Sequence, residues 1–145
     1  MKKILFGLMA ATFCLMMTSC GNPISKIKSL TEDVENNAND WTDADQWVSF
    51  LEDMASTTCD FLESDFTEDE LLEFGEAMSD LVDALRDVDD SKAEKAARKA
   101  GKTFEKNKEM KKRLEKAEKK AKKHAKDMDI DEDDLREAFR FMNLL

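Results

Sequence analysis

Residues 66–85 read Phe66-Thr67-Glu68-Asp69-Glu70-Leu71-Leu72-Glu73-Phe74-Gly75-Glu76-Ala77-Met78-Ser79-Asp80-Leu81-Val82-Asp83-Ala84-Leu85. They hold a complete helix start followed by an apolar stripe. Thr67 is placed to cap, Glu70 can reach back three residues to the cap, and Phe66 can staple onto Leu71. Leu71, Phe74, Met78, Leu81, Val82 and Leu85 then return to one face at helical spacing. This predicts a helix with one buried side, which needs further helices to cover it.

Working outward, the same grammar recurs. On the N-terminal side, Thr42 with Asp45 reads as a capping-box start. Trp47, Leu51, Met54, Thr58, Phe61 and Leu62 form the buried stripe of a helix ending near Ser64. Earlier still, Asn22 and Pro23 read as N-cap and first helical residue. Ile24, Ile27, Thr31, Val34 and Ala38 keep helical spacing up to a break at residues 36–40. On the C-terminal side, Ser91 with Glu94 opens a Lys-rich segment that reads as one unbroken helix to about Lys126. Its thin seam comprises Ala93, Ala97, Ala100, Phe104, Met110, Leu114, Ala117, Ala121 and Ala125. A last helix is expected from Asp131, with Asp134 in its capping box and Ile130 stapling onto Leu135. Four glycines, one proline, no tyrosine and no alternating strand pattern agree with this. The expected fold is all-α, a small helical bundle of four to five helices with one long Lys-rich helix.

Charge is segregated along the chain. Residues 21–91 hold 21 acidic and three basic residues, residues 92–126 hold 16 basic and five acidic, and residues 127–145 are again acidic. Two readings compete. In one, the basic helix packs among acidic helices of its own chain and relieves their repulsion. In the other, Lys111, Lys112, Arg113, Lys119, Lys120, Lys122 and Lys123 form a polyanion contact. Nucleic acid is not expected as the polyanion, because Phe104 is the only aromatic in the stretch and offers no stacking platform. The internal reading is preferred.

Catalytic patterns are lacking. The chain has no Gly-rich phosphate loop, nucleophile elbow or Cys/His cluster. His124, the only histidine, stands among lysines and reads as a solvated surface residue with no second nitrogen ligand nearby. Cys59 lies on an apolar stripe and reads as a small buried hydrophobe. Asp127, Asp129, Asp131 and Asp133 alternate like the start of a calcium loop. Glu132 and Ala138 occupy the places that need glycine and a bidentate glutamate, so no metal is expected. No cofactor is expected and the chain reads as a non-enzyme. A rival reading lines a cavity for an apolar small molecule with Trp41, Trp47, Phe50, Phe61, Phe66 and Phe74, residues a protein this size also needs for its core.

The N-terminal residues suggest an address. Lys2 and Lys3 precede an apolar run, Ile4 to Met17, too short for a spanning helix; Thr18, Ser19, Cys20 and Gly21 follow. This layout resembles the signal peptide and lipobox of Gram-negative bacterial lipoproteins. The resemblance covers residues 1–21 and implies removal of residues 1–19 and acylation of Cys20. The implied division is a signal peptide (1–19), a lipid anchor with a short membrane-proximal helix (20–40) and a helical bundle (41–145). The expected function is a structural or protein-interaction role at the cell envelope, with anionic-lipid or small-molecule binding as the alternative. The expected location is the periplasmic face of the outer membrane. The expected partners are the membrane, through Cys20, and an envelope protein.

Overall fold

The computed structural model describes residues 21–130 and contains five α-helices: α1 (Pro23–Asn37), α2 (Ala44–Leu62), α3 (Glu68–Arg86), α4 (Ser91–Phe104) and α5 (Lys108–Asp127). A 3-10 turn, Ala38–Asp40, joins α1 to α2. No strand occurs among the described residues. The fold is all-α, as its periodicity implies. The helix expected after residue 131 lies outside the described residues.

The helix starts follow side-chain chemistry. Asn22 Oδ1 accepts from the Ile24 amide at 2.9 Å, with Pro23 at the first helical position. Thr67 and Glu70 complete a reciprocal capping box at the head of α3. Two starts shift by one residue from expectation. Asp43, not Thr42, caps α2 by accepting from the Asp45 amide, and Asp90, not Ser91, caps α4 by accepting from Lys92 and Ala93. In both places an aspartate stands beside the hydroxyl residue; it is a stronger cap than Thr42 and an equal one to Ser91. The two amide bonds also hold the Asp90 carboxyl below its ordinary range.

The single long basic helix is not formed. The chain breaks between Phe104 and Lys108 into α4 and α5, with Asn107 accepting from the Met110 amide to cap the second. The cause is stripe phase. The buried residues of α4 are Ala93, Ala96, Ala100 and Phe104; those of α5 are Ala117, Ala121 and Ala125. On one continuous helix these two stripes would point about 70° apart. Breaking the helix lets each stripe meet α2.

Helix order around the core follows from specific contacts. Lys28 of α1 pairs with Glu73 of α3 at 2.8 Å. Asn39, just past α1, accepts from the amides of Asp89 and Asp90, just past α3. Helices α1 and α3 therefore run in the same direction. α1 also packs on α2, which returns antiparallel to it after the short turn. Helix α2 in turn carries α4 and α5. Asn107 meets Glu52, Arg113 meets Ser56 and Asp60, and His124 meets Phe66, so α5 runs parallel to α2. α2 and α3 do not form the close helical hairpin their short connection suggests. Helix α1 packs on both, and α2 and α3 meet where Phe61 stacks on Phe74, ring centroids 4.1 Å apart.

One core runs through all five helices. Ile24, Ile27 and Val34 of α1 join Leu62, Leu71, Phe74 and Leu81, while Ala117, Ala121 and Ala125 bring α5 against α2. Alanine at these points lets two helix backbones approach closely. Among the described residues no helix is long and apolar enough to cross a membrane.

Candidate functional site

The two faces of α5 have different chemistry. The inner face docks on α2 through a polar ladder alongside the alanines. Arg113 donates from Nη1 to Ser56 Oγ at 3.1 Å, and from Nη2 to Asp60 Oδ1 at 2.8 Å and to Glu63 Oε2 at 3.4 Å. The Asp60 carboxylate in particular raises the Arg113 guanidinium above its ordinary value. One turn or two further on, Lys120 Nζ donates to the Glu63 carbonyl, and His124 Nε2 bonds the Phe66 carbonyl at 2.8 Å. The imidazole also sets edge-on to the Phe66 ring, centroids 4.8 Å apart. His124 is thus a half-buried docking residue and not a solvated surface residue. Its neighbours in sequence are lysines, but a 3.6-residue turn points them elsewhere.

The outer face is a row of ammonium groups. Lys108, Lys112, Lys116, Lys119, Lys123 and Lys126 recur at spacings of four, four, three, four and three. Those spacings put them within a sector of roughly 80° that contains no carboxylate, over a length of about 27 Å. All six are exposed, and none forms an ion pair among the described residues. Glu109, Glu115 and Glu118 flank the row, and Lys122 turns aside to pair with Glu118. A shallow open groove of about 450 Å³, lined by Glu63, Lys116 and Lys120, separates the row from the end of α2.

This geometry sorts the seven expected contact residues. Lys112, Lys119 and Lys123 lie in the outer row. Lys111 and Lys122 are exposed on its flank. Arg113 and Lys120 face inward and hold α5 to α2. Residues 108, 116 and 126 complete the row and were not among the expected contacts. The three-and-four spacing would have found them, whereas a run of adjacent basic residues mixes both faces. Internal neutralisation of the basic segment is carried between helices by Arg113; Arg98–Glu94 and Lys122–Glu118 are pairs within one helix.

The remaining candidates are structural. Cys59 is fully buried and burial pushes its thiol up to about 11, so it is neither ionised nor reachable at neutral pH. The six aromatics split into two stacks. Trp41, Trp47 and Phe50 pack where α2 begins, and Phe61, Phe66 and Phe74 where it ends. Trp47 Nε1 donates to the Trp41 carbonyl at 2.8 Å. The rings fill space against one another. Asp129 serves to end a helix: it has φ 59°, its amide donates to Lys126 O, and the Ile130 amide donates to Ala125 O. That is a Schellman ending with aspartate at the left-handed position. Asp131 and Asp133 lie outside the described residues, and among the described residues no group of three metal-ligating side chains converges. Cys20 also lies outside them.

No protein-family model, curated protein or solved structure matches this chain.

Proposed function

We propose that the protein is a lipid-anchored, non-enzymatic interaction protein of the bacterial envelope, held to the membrane by acylated Cys20. The observation that carries this reading is residues 1–21: a basic start, a short apolar run, two small residues and then a cysteine. The bundle supports it in a second way. Helix α1 begins at Pro23, and its first turn already contributes Ile24 to the core. No flexible tether stands between the acylation point and the folded domain, so the anchor fixes position as well as attachment. One acyl chain alone anchors marginally, and stable anchoring takes a second chain or a polybasic patch beside it.

Intact-mass measurement on protein extracted from membranes tests the reading. The expected mature chain starts at Cys20 and carries the acyl increment, and Cys20→Ala removes that increment. A mature N-terminus elsewhere without lipid overturns it.

A further inference from the structure

The anchored end of the bundle can be identified from the helix directions. α1 begins next to the anchor. Because α2 is antiparallel to α1, and α3 parallel to it, the end of α2 and the start of α3 lie at that same end. Helix α5 runs parallel to α2, so its C-terminal half lies there too, with His124 bonded to the Phe66 carbonyl. The chain thus places Lys116, Lys119, Lys123 and Lys126 at the end where the lipid is attached. Their ammonium groups are exposed, aligned and without partners among the described residues.

We propose that the outer lysine row of α5 is a second membrane contact, whose lysines toward the anchored end bind the phosphate groups of anionic lipids. This rests on the lipid-anchor reading above and names the partner of the anchored domain. The occupant follows from chemistry and spacing. The row is straight and about 27 Å long. It lacks aromatic side chains, and the groove beside it, lined by Glu63, Lys116 and Lys120, is open. The row suits many diffuse, mobile phosphates in a plane better than one shaped ligand. The protein's overall charge is −10, and α2, on which α5 packs, carries four acidic residues and no base. Of these, Asp60 is engaged together with Glu63 by Arg113 on the inner side of α5. The row lies on the opposite side of α5 and has no carboxylate in its sector, so ammonium groups are what meet the headgroups. Helix α4 has exposed lysines as well, but it starts at the opposite end of the bundle, away from the anchor.

The test uses the mature chain from residue 20 with Cys20→Ser, so that no acyl group contributes. All described core residues, from Ile24 onward, are retained in it. Partitioning is measured on vesicles of phosphatidylcholine alone and with a third phosphatidylglycerol, at low and physiological salt. Binding is expected only with phosphatidylglycerol and should weaken as salt rises. A lysine near an anionic surface contributes about fivefold. The four changes Lys112→Glu, Lys116→Glu, Lys119→Glu and Lys123→Glu should therefore lower partitioning by at least a few hundredfold. The same number of reversals on α4, at Lys92, Lys95, Lys99 and Lys102, should lower it less than tenfold. Should the four glutamates disturb folding by circular dichroism, four glutamines at the same α5 positions give the neutral comparison, with a loss of the same order expected. Equal binding to both vesicle types, equal loss for the α4 and α5 variants, or undiminished binding of the α5 variant overturns the proposal. Acylation is read by mass on the natural chain and headgroup binding on a chain without acyl groups, so either reading can fail alone.

Discussion

Arg113→Met removes the ion-pair clamp between α5 and α2 while keeping an aliphatic stem of similar length. The guanidinium makes bonds to Ser56, Asp60 and Glu63, but its side chain is 38% exposed, and those of Asp60 and Glu63 are 41% and 37%. Fully shielded, hydrogen bonds to charged groups contribute about 1.5–3 kcal/mol; fully exposed pairs contribute about 0–1 kcal/mol. With a third or more of each group in water, the expected loss is about 1–2 kcal/mol. Leaving Asp60 and Glu63 as unpaired like charges three residues apart adds about 0.2–0.5 kcal/mol. For a domain of this size that corresponds to a fall in Tm of roughly 4–10 °C. Thermal unfolding followed at 222 nm measures it, with Lys112→Met as the neighbouring exposed control, expected to be neutral or slightly stabilising. The deficit should shrink in molar salt. A double-mutant cycle with Asp60→Asn should return a coupling energy clearly above zero. An Arg113→Met midpoint equal to wild type at low salt, or a Lys112→Met loss as large, refutes the assignment of α5 docking to this arginine.

Three further outcomes are expected. Gly101 sits inside α4 with nothing within 4 Å of the place a Cβ would take, so Gly101→Ala should raise stability by about 0.5–1 kcal/mol in urea unfolding; no gain would point to a contact at that site. Asp129→Gly should stabilise by up to about 1 kcal/mol, because glycine takes the left-handed conformation without the Cβ penalty. Calcium ligation by Asp129 would instead give a loss that depends on calcium. Cys59 should label with thiol reagents at pH 8 only as fast as the domain opens, because its raised pKa keeps it protonated and burial keeps it covered; rapid labelling of the folded protein counters this.

The fold class was legible because caps and stripes are local. Thr67 with Glu70, and Asn22 with Pro23, announce helices wherever the chain later packs. The α4–α5 break was not legible from breakers, since residues 105–107 contain neither proline nor glycine. It was present in the phase difference between two alanine stripes, which a list of apolar positions hides and a helical projection reveals. His124 was misread for a related reason. Its sequence neighbours are lysines, while its spatial neighbours on the inner face are Ala121, Ala125 and the Phe66 carbonyl. The parallel pairing of α1 with α3 rests on Asn39, and nothing in a lone asparagine within a turn says which distant amides it will accept from. The lysine row was half legible. Composition shows the charge, and only the helix surface separates the ammonium groups that dock from those that remain free.

Parallel helix pairs shape the folding route. In an up-and-down bundle each helix can close on its neighbour as soon as a short turn forms. Here the Lys28–Glu73 pair spans 45 residues, the Asn39 turn 50–51, and the bonds from α5 to α2 and its end 50–58. Each requires a long loop to close before its contacts give any return, and distant closure slows folding. Helix α2 emerges during synthesis before both later helices that cover it, α4 and α5, and its side toward them stays uncovered until they are made. The chain should therefore fold more slowly than its helical content suggests, with the side of α2 that meets α5 buried only after α5 has been made.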